Sequence, residues 1–385
     1  MSNDTDEIPT PRENDYFTGH EAAVETLSQS FHSDRFHHAW LVSGPEGIGK
    51  ATLMWRFARY VLADGIGFEK KPDAGAGLFG ALPDDAPETD ENEEGGDATL
   101  FVSPDHPVFQ RIKAGGHADI LGVERSINKD TGKLRTEIVV DDVRGIGTFL
   151  RKTAAEGGWR IVIIDAADEM NVNAANAVLK VLEEPPKRAM LLLVAHNPGR
   201  LLPTIRSRCR KLSLNALPDK TVQALVHRSL CTIPDRDAAT LAQLAEGSIG
   251  RALALDAEGG VELYRNLLDL LETLPRLNVT RLHAFADRVA RDRSGNAFRT
   301  VSGLLGWWLH RFVRYQTAGE AGMGLSATEE ALMGRLSVEA PGLDQWLGVW
   351  DKMADLFART DAVNLDRKQI VLNAFLALED AAKAA

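Results

Sequence analysis

The sequence predicts an α/β domain with a parallel sheet, followed by domains that contain only helices. Runs typical of buried strands, such as RIVIID at 160–165, alternate with helical patterns up to about residue 215. Such β-branched runs suit strands that are covered on both faces of a parallel sheet. Beyond Pro218 only helical periodicity remains. A glycine-rich segment at 44–50, between a strand and a helix, is typical of a nucleotide-binding α/β fold.

Five strands are expected in the α/β part, each separated from the next by a helical or irregular segment. They are HHAWLVS (37–43), a short strand that opens LRTEIVVDDVRGIGTFLRKTAAE (134–156), RIVIID (160–165), AMLLLVAH (189–196) and RKLSL (210–214). A helix from about Lys50 to Leu62 follows the first strand. NAANAVLKVLEEPP (173–186) is a second helix, which Pro185 and Pro186 end because proline lacks the N–H donor and clashes with the preceding turn.

The helical part is expected to contain two domains, divided near Gly259–Gly260. The domain boundaries predicted from the sequence are therefore 1–215, 216–259 and 260–385. Within the first domain, residues 64–100 are rich in Gly, Pro, Asp and Glu and show no periodicity, which predicts a disordered insertion. Within the insertion, residues 84–97 carry eight acids and no base. Without this segment, the net charge of the chain would be −3 instead of −11.

Composition excludes several classes of protein. No run of eighteen apolar residues is present, so we expect no membrane span. The polar, acidic N-terminus does not look like a signal peptide. The chain's two cysteines give neither a disulfide framework nor a zinc quartet, and a cytoplasmic location is the simplest expectation. Four histidines without metal-ligand spacing are expected to be core or surface residues: His37, His38, His106 and His117.

The segment VSGPEGIGKAT (42–52) nearly matches the phosphate-loop pattern G-x-x-x-x-G-K-[ST]. Gly44, Gly47 and Gly49 allow backbone N–H groups to curl around a phosphate at a helix N-terminus, and Lys50 adds a positive charge. The final hydroxyl, which would hold Mg²⁺, is replaced by Ala51. Thr52 lies about 100° further round the helix and is no simple substitute.

A second departure lies at the end of RIVIID. Asp165 is the acid that would assist a metal, but the next position, where a glutamate would polarise the attacking water, is Ala166. Asp168 and Glu169 follow and are expected to face away from the site. Two catalytic positions are thus filled by alanine, which indicates that hydrolysis has been lost from an otherwise intact frame.

Two arginines in other segments are further candidates. LLPTIRSRCRK (201–211) places four bases within 206–211 at the start of the last predicted strand. Spacing alone leaves two interpretations open: a basic edge that prevents aggregation of the sheet, or an arginine directed at a phosphate on another subunit. Arg251, in GSIGRAL (247–253), either contacts a nucleotide from the helical part or only caps or decorates a helix. Trp307 and Trp308 are expected to be packing residues.

Taken together, these motifs resemble those of bacterial DNA polymerase III clamp-loader subunits of the AAA+ class, and of the delta-prime branch in particular. FHHAWLVSGPEGIGK, NAANAVLKVLEEPP, LLPTIRSRC and GSIGRAL occur in the order found in that family. AVNLDRKQIVLNAFLAL is similar to its last collar helix. The resemblance implies a RecA-like AAA+ module, a helical lid and a helical collar for oligomerisation, and it covers nearly the whole chain except the acidic insertion.

The resemblance also implies a role and partners. A delta-prime-like subunit does not hydrolyse ATP, but supplies Arg208 of the SRC motif as a trans arginine finger to a neighbouring ATPase subunit. The implied partners are the gamma/tau motor subunits and the delta subunit in a five-membered ring, the sliding clamp and primed DNA. ATP and Mg²⁺ would be bound at neighbouring subunits, and this chain would require no cofactor of its own.

One departure from the family concerns metal. Many relatives carry a four-cysteine zinc module after the phosphate-loop helix, but this chain has no cysteine before Cys209, so no zinc is expected. Two alternatives remain open from the sequence: an active AAA+ motor ATPase, and a stand-alone AAA+ scaffold. Ala51 and Ala166 argue against the first, and the SRC arginine and collar-like helices argue against the second.

Overall fold

A computed structural model describes residues 9–33, 36–64, 100–156, 158–319, 326–340, 342–363 and 366–383. The acidic segment 84–97 and nearly all of the predicted insertion lie outside these described residues. The chain forms two compact units, Met1–Thr221 and Val222–Ala385. The first boundary lies close to the predicted end of the α/β domain at 215.

The first unit is built on a parallel sheet of five strands. They are β1 (Ala39–Ser43), β2 (Ile120–Val123), β3 (Arg160–Ile164), β4 (Ala189–Ala195) and β5 (Arg210–Ser213). Their order is β2-β3-β4-β1-β5, and all four pairings are parallel. Every residue of β3 and β4 is buried, as their continuous apolar runs predict. The predicted α/β fold class with a parallel sheet is therefore confirmed.

One strand was predicted at the wrong place. Residues 134–139 form only isolated bridges, Ile127 with Leu134 and Ile138 with Met170, while the sheet's actual second strand is β2. This strand lies at the edge of the sheet and is only partly buried. Its sequence, ILGV, is therefore too short and too mixed to show the apolar run that identifies a central strand.

Helices cover both faces of this sheet. They are α1 (Glu21–Phe31), α2 (Lys50–Asp64), α3 (Pro107–Lys113), α4 (Val140–Val143), α5 (Ile146–Arg151), α6 (Val172–Glu183) and α7 (Pro203–Arg208). Alternate residues of β1 belong to two different cores, because successive side chains of a strand point to opposite faces. Trp40 packs with α1 and α2, and Leu41 packs with α6. Packing on both faces of the sheet therefore holds β1 in place, and with it the start of the segment that leads to α2.

Regular structure in the described part of the second unit is entirely helical. After α8 (Asp219–Ser229), which spans the boundary, come α9 (Asp235–Leu244), α10 (Ile249–Ala257), α11 (Gly260–Leu271), α12 (Val279–Arg291), α13 (Asn296–Ala318), α14 (Ala327–Glu339), α15 (Leu343–Val363) and α16 (Arg367–Lys383). Trp307 and Trp308 are buried in α13, where Trp308 stacks on Phe312 at 5.4 Å between ring centroids, so their predicted packing role is confirmed.

The predicted division near Gly259–Gly260 coincides with a break between α10 and α11, where Gly259 has a φ of 69°. The separation into lid and collar domains stays a prediction. None of the helices in the described segments is long and apolar enough to cross a bilayer.

Candidate functional site

The glycine-rich loop connects β1 to α2, as predicted. Gly44, Gly47 and Gly49 have φ values of 150°, 73° and 99°, a region that side-chain-bearing residues rarely adopt. At Gly44 a Cβ atom would also lie only 2.3 Å from the carbonyl oxygen of Leu214, which follows β5. Glycine is therefore required at position 44 by space as well as by conformation.

Lys50 is folded into this loop. Its side chain is only 3% exposed, and its Nζ donates to the carbonyl oxygen of Gly44 at 2.8 Å and to that of Pro45. Burial lowers the pKa of Lys50 to about 8, and the negative charges of Asp165 and Asp168 oppose this shift. The ammonium group lies at the beginning of α2, the position from which a phosphate-loop lysine meets its anion.

Asp165 lies just beyond the end of β3, close enough for its charge to act on Lys50. Burial raises the pKa of its carboxyl group to about 6; nearby Glu124 raises it further, while His196 and Lys50 counteract the rise. Ala166, next in the chain, is 4% exposed and offers no polar group. Asp165 thus lies near Lys50 of the loop, but the glutamate that would activate water is missing.

The expectation that Asp168 faces away from the site is wrong. Its carboxylate accepts hydrogen bonds from the backbone N–H groups of His196 and Asn197 at 3.0 and 2.7 Å, at the end of β4. Since β4 lies between β3 and β1, this contact holds Asp168 near Lys50. Glu169 turns instead toward Arg125, with which it forms an ion pair at 2.9 Å.

The sequence analysis did not identify His196, which lies near Asp165 at the end of β4. Acids were identified by their position after a strand, but the sequence does not show that β4 lies between β1 and β3. The cue available in the sequence was the histidine at the end of the apolar run AMLLLVAH.

These residues fit a phosphate anion better than they fit a metal-assisted reaction. The glycine conformations and the buried ammonium group of Lys50 suit a bound phosphate. The hydroxyl that would hold Mg²⁺ is absent at Ala51, and Ala166 supplies no general base. We therefore derive no hydrolytic step for this site.

Arg208 ends the short helix α7 on the surface of the first unit. Its guanidinium group forms an ion pair with Glu183 at 2.8 Å and donates to the carbonyl oxygen of Thr204 at 3.0 Å. Both ion-pair partners are well exposed, at 36% and 50% of their side chains, and such pairs contribute little stability. The guanidinium group therefore stands at a solvent-accessible position from which it can exchange Glu183 for another anion.

Cys209 and Arg210 beside it have structural roles. Cys209 is buried, and burial raises the pKa of its thiol to about 12, so it is not a reactive nucleophile. Arg210 donates to the hydroxyl of Ser30 at 3.0 Å and lies 4.8 Å over the Trp40 ring. The basic-edge interpretation therefore suits Arg210 and the exposed Lys211 on edge strand β5, whereas Arg208 lies outside the strand.

Arg251 belongs to the second unit. Its backbone N–H is capped by the hydroxyl of Ser248 at 3.1 Å, and its guanidinium group pairs with Glu246 at 2.8 Å. Both contacts lie at the start of α10, where Ser248 is the N-cap, so Arg251 decorates the helix and does not cap it. A nucleotide contact by Arg251 stays a prediction.

The histidines singled out in the sequence have ordinary partners. His106 caps α3 by accepting from the backbone N–H of Val108, and His38 contacts the carbonyl oxygen of Leu182 at 3.2 Å. Across the described ranges, no group of three or more His, Cys, Asp or Glu side chains is placed to hold a metal ion. The expectation that the chain binds no zinc stays a prediction.

Comparison with known proteins points to one family. The family model described as "DNA polymerase III, delta subunit" matches residues 101–218. The DNA polymerase III subunit delta' of Pseudomonas aeruginosa is 30% identical over 342 residues, which cover 87% of this chain and 86% of the relative. The Escherichia coli subunit delta' is 30% identical over 231 residues, 60% of this chain and 58% of that protein.

More distant similarities extend to other subunits. The DNA polymerase III subunit tau of Bacillus subtilis is 26% identical over 251 residues, 65% of this chain and 36% of the relative. Among solved structures, a gamma-subunit-related protein of Thermotoga maritima is 19% identical, with a TM-score of 0.40 over 94% of this chain and 100% of that one.

Proposed function

Because the chain belongs to the family of DNA polymerase III delta' subunits, we propose that it is a non-hydrolysing subunit of a clamp loader. In this role it helps to load a sliding clamp on primed DNA and supplies Arg208 to the ATP site of a neighbouring motor subunit. The proposed partners are gamma/tau-type motor subunits, a delta subunit, the clamp and primed DNA. We place this assembly in the cytoplasm, where replication occurs.

One observation carries the non-hydrolysing part of the proposal. The phosphate loop keeps its three left-handed glycines and its buried lysine, while Ala51 and Ala166 remove the metal hydroxyl and the water-activating carboxylate. A loop that keeps its backbone conformation but lacks the groups needed for hydrolysis suits a subunit that uses this fold for assembly. ATP and Mg²⁺ at a neighbouring site would supply the phosphoryl-transfer chemistry, and this chain would supply a positive charge.

The position of Arg208 supports its proposed use in trans. It ends a helix that starts after Leu202, and its only side-chain partners within the described residues are the exposed Glu183 and a carbonyl of its own helix. An arginine that stabilises transition-state charge on a neighbour's phosphate contributes a factor of roughly 10³–10⁵ to the rate at that site.

The proposal predicts assembly without catalysis. The purified chain should form a stable complex with gamma/tau and delta subunits in size-exclusion chromatography, and the chain alone should show no ATP turnover above background. Lys50→Ala in this chain should leave the background rate unchanged. Steady-state turnover by the chain alone that disappears with Lys50→Ala would instead favour the alternative of an active motor ATPase.

A stand-alone AAA+ scaffold is the remaining alternative. It predicts a chain that stays monomeric or self-associates in the presence of the other subunits. Affinity purification of the tagged chain from its own host distinguishes the cases, because a loader subunit brings motor and delta subunits with it.

A further inference from the structure

A hairpin follows edge strand β2, and it includes neither the phosphate loop nor Arg208. Residues 126–135 fold back on themselves: Arg135 N–H donates to the Ser126 carbonyl at 3.0 Å, and Asn128 N–H donates to the Lys133 carbonyl at 2.8 Å. Gly132, at a φ of 65°, makes the turn. The hairpin is fixed at its base, where Arg125 pairs with Glu169 and Ile138 pairs with Met170.

This hairpin exposes two large apolar side chains side by side. Ile127 and Leu134 are directly opposite each other across the antiparallel bridge, and their exposed fractions are 64% and 57%. Cross-strand partners have Cβ atoms roughly 5 Å apart on the same face, so the two side chains form one apolar surface. They are among the most exposed large apolar residues of the described chain, and such paired exposure marks an interaction site better than scattered single residues do.

Basic groups surround this apolar pair. The segment RSINKDTGKLR (125–135) carries four bases and one acid, in a chain whose net charge is −11. Lys129 and Lys133 are exposed at the turn, and no ion pair in the described part of the chain engages either of them. A clustered positive charge on an acidic protein is the electrostatic footprint expected of contact with a polyanion.

An open cavity of about 300 Å³ lies on the hairpin and supplies further donors. Asn128, Lys133 and Arg135 line it, together with the carboxylate residue Glu137. Arg135 therefore stands beside an open cavity where a phosphate oxygen can approach its charged side chain.

We propose that this hairpin is a direct contact for single-stranded DNA. Lys129, Lys133 and Arg135 meet phosphates, and Ile127 and Leu134 cover the apolar faces of unstacked bases. A polyanion with apolar faces beside its charges matches this combination of groups better than an acidic protein segment, which has no such faces beside each charge. The inference rests on the proposed function, which brings the chain to primed DNA.

The test measures binding of the full-length chain to fluorescein-labelled oligothymidine by anisotropy, at about 50 to 200 mM salt. The double variant Lys129→Ala/Lys133→Ala should weaken binding roughly 10- to 100-fold at the lowest salt. It should also reduce the slope of log K against log salt by about 1.4, because each phosphate contact on a single strand contributes about 0.7.

The apolar pair has a separate signature. Ile127→Ser/Leu134→Ser should lower the affinity while leaving the salt slope unchanged, because no charge is removed. Lys113→Ala/Lys187→Ala is the matched control, since it removes two exposed lysines elsewhere on the same unit and should leave both quantities nearly unchanged. Thermal unfolding of each variant checks that the fold is intact.

Equal losses in the hairpin and control lysine variants would overturn the proposal, because they would show a general charge effect. Competition by a polyglutamate peptide as effective as that by unlabelled oligothymidine would overturn it in favour of an acidic protein partner. Complex formation with the other loader subunits is measured in parallel. Hairpin variants that assemble normally but lose DNA binding support the contact, whereas failure of the wild type to assemble refutes the proposed function instead.

Discussion

At the scale of single residues, the site at the phosphate loop buries two ionisable groups of opposite charge, Lys50 and Asp165. Lys50 and Asp165 are both held in partly or fully dehydrated positions, and burial shifts the pKa of each toward its neutral form. A catalytic site uses such shifts to move protons. Here, with Ala51 and Ala166 beside them, the shifts are a cost in stability, and that cost depends on pH.

Asp165→Asn tests this cost. Because the folded-state pKa of Asp165 is raised from 3.8 to about 6, the folded chain binds the proton more tightly than the unfolded chain. The stability associated with this group is therefore fully present below pH 3.8 and is lost as pH rises through about 6. Asp165→Asn should raise the free energy of unfolding by roughly 1–3 kcal/mol at neutral pH and change it little near pH 4. Urea denaturation at both pH values measures this.

The control for that measurement is Asp141→Asn, at an exposed site where the side chain pairs with the equally exposed Arg144. It should have little effect at either pH. A gain for Asp165→Asn that is the same at both pH values would show that the carboxylate's ionisation is not the cause.

Arg208 gives the second prediction at this scale. Arg208→Ala should spare the fold and the assembly, because only an exposed ion pair and a bond within its own helix are lost. DNA- and clamp-stimulated ATP hydrolysis by the whole loader should fall, since one motor site loses its finger. Arg208→Lys should restore little, because an ammonium group does not reproduce the planar guanidinium fork.

Lys211→Ala is the appropriate control for Arg208, since Lys211 is exposed on β5 nearby. Arg210 is unsuitable, because its contacts with Ser30 and Trp40 make its removal a structural change. If Lys211→Ala lowers the loader's ATPase as much as Arg208→Ala does, only the basic-edge interpretation remains.

At the scale of elements, α2 does more than follow the phosphate loop. Two arginines on this helix hold the N-terminal segment across it. Arg59 donates to the carbonyl oxygens of Arg12 and Asn14 at 2.8 and 2.7 Å, and Arg56 donates to that of Asp15 at 3.2 Å. This N-terminal segment, residues 12–15, leads to Phe17, which lies against Gly49 of the phosphate loop. The two arginines thus help to hold Phe17 against the loop.

Arg59→Met should therefore destabilise the protein by about 2–4 kcal/mol, because two partly buried carbonyl groups lose a charged donor and the buried guanidinium group loses its packing. Arg59 is 2% exposed and also packs over the Phe109 ring at 4.6 Å, so little water can replace it. Burial lowers its pKa to about 10, which leaves it charged at neutral pH. Arg151→Met, at an exposed position at the end of α5, should change the free energy of unfolding by less than about 0.5 kcal/mol. Equal values for the two variants in urea denaturation would refute this role of Arg59.

At the scale of the whole molecule, charge is distributed very unevenly along the chain. Eight of the acids responsible for the net charge of −11 lie in 84–97, a segment with too few apolar residues to support a core. Deleting 84–97 should leave thermal unfolding and subunit assembly unchanged. A lowered melting temperature or a loss of assembly would show that the segment contributes to the fold or to an interface.

The sequence by itself determined the elements whose physics is local. The continuous apolar runs of β3 and β4, the proline stop after α6 and the glycine loop before α2 were all predictable, since burial on both faces and backbone restriction appear directly in residue order. The same holds for the losses at Ala51 and Ala166, which are visible as single letters.

Only the tertiary structure decided which distant groups meet. The parallel order β2-β3-β4-β1-β5 brings Asp168 near Lys50 and His196 near Asp165, although the sequence of β4 does not show which strands lie beside it. Edge strand β2 escaped prediction because an edge is half exposed and has no apolar run. Arg208 and Arg210 are two residues apart, yet Arg208 ends a helix and pairs with Glu183 of α6, whereas Arg210 lies over Trp40 of β1. The residue order does not show these partners, because they come from elements far away in the chain.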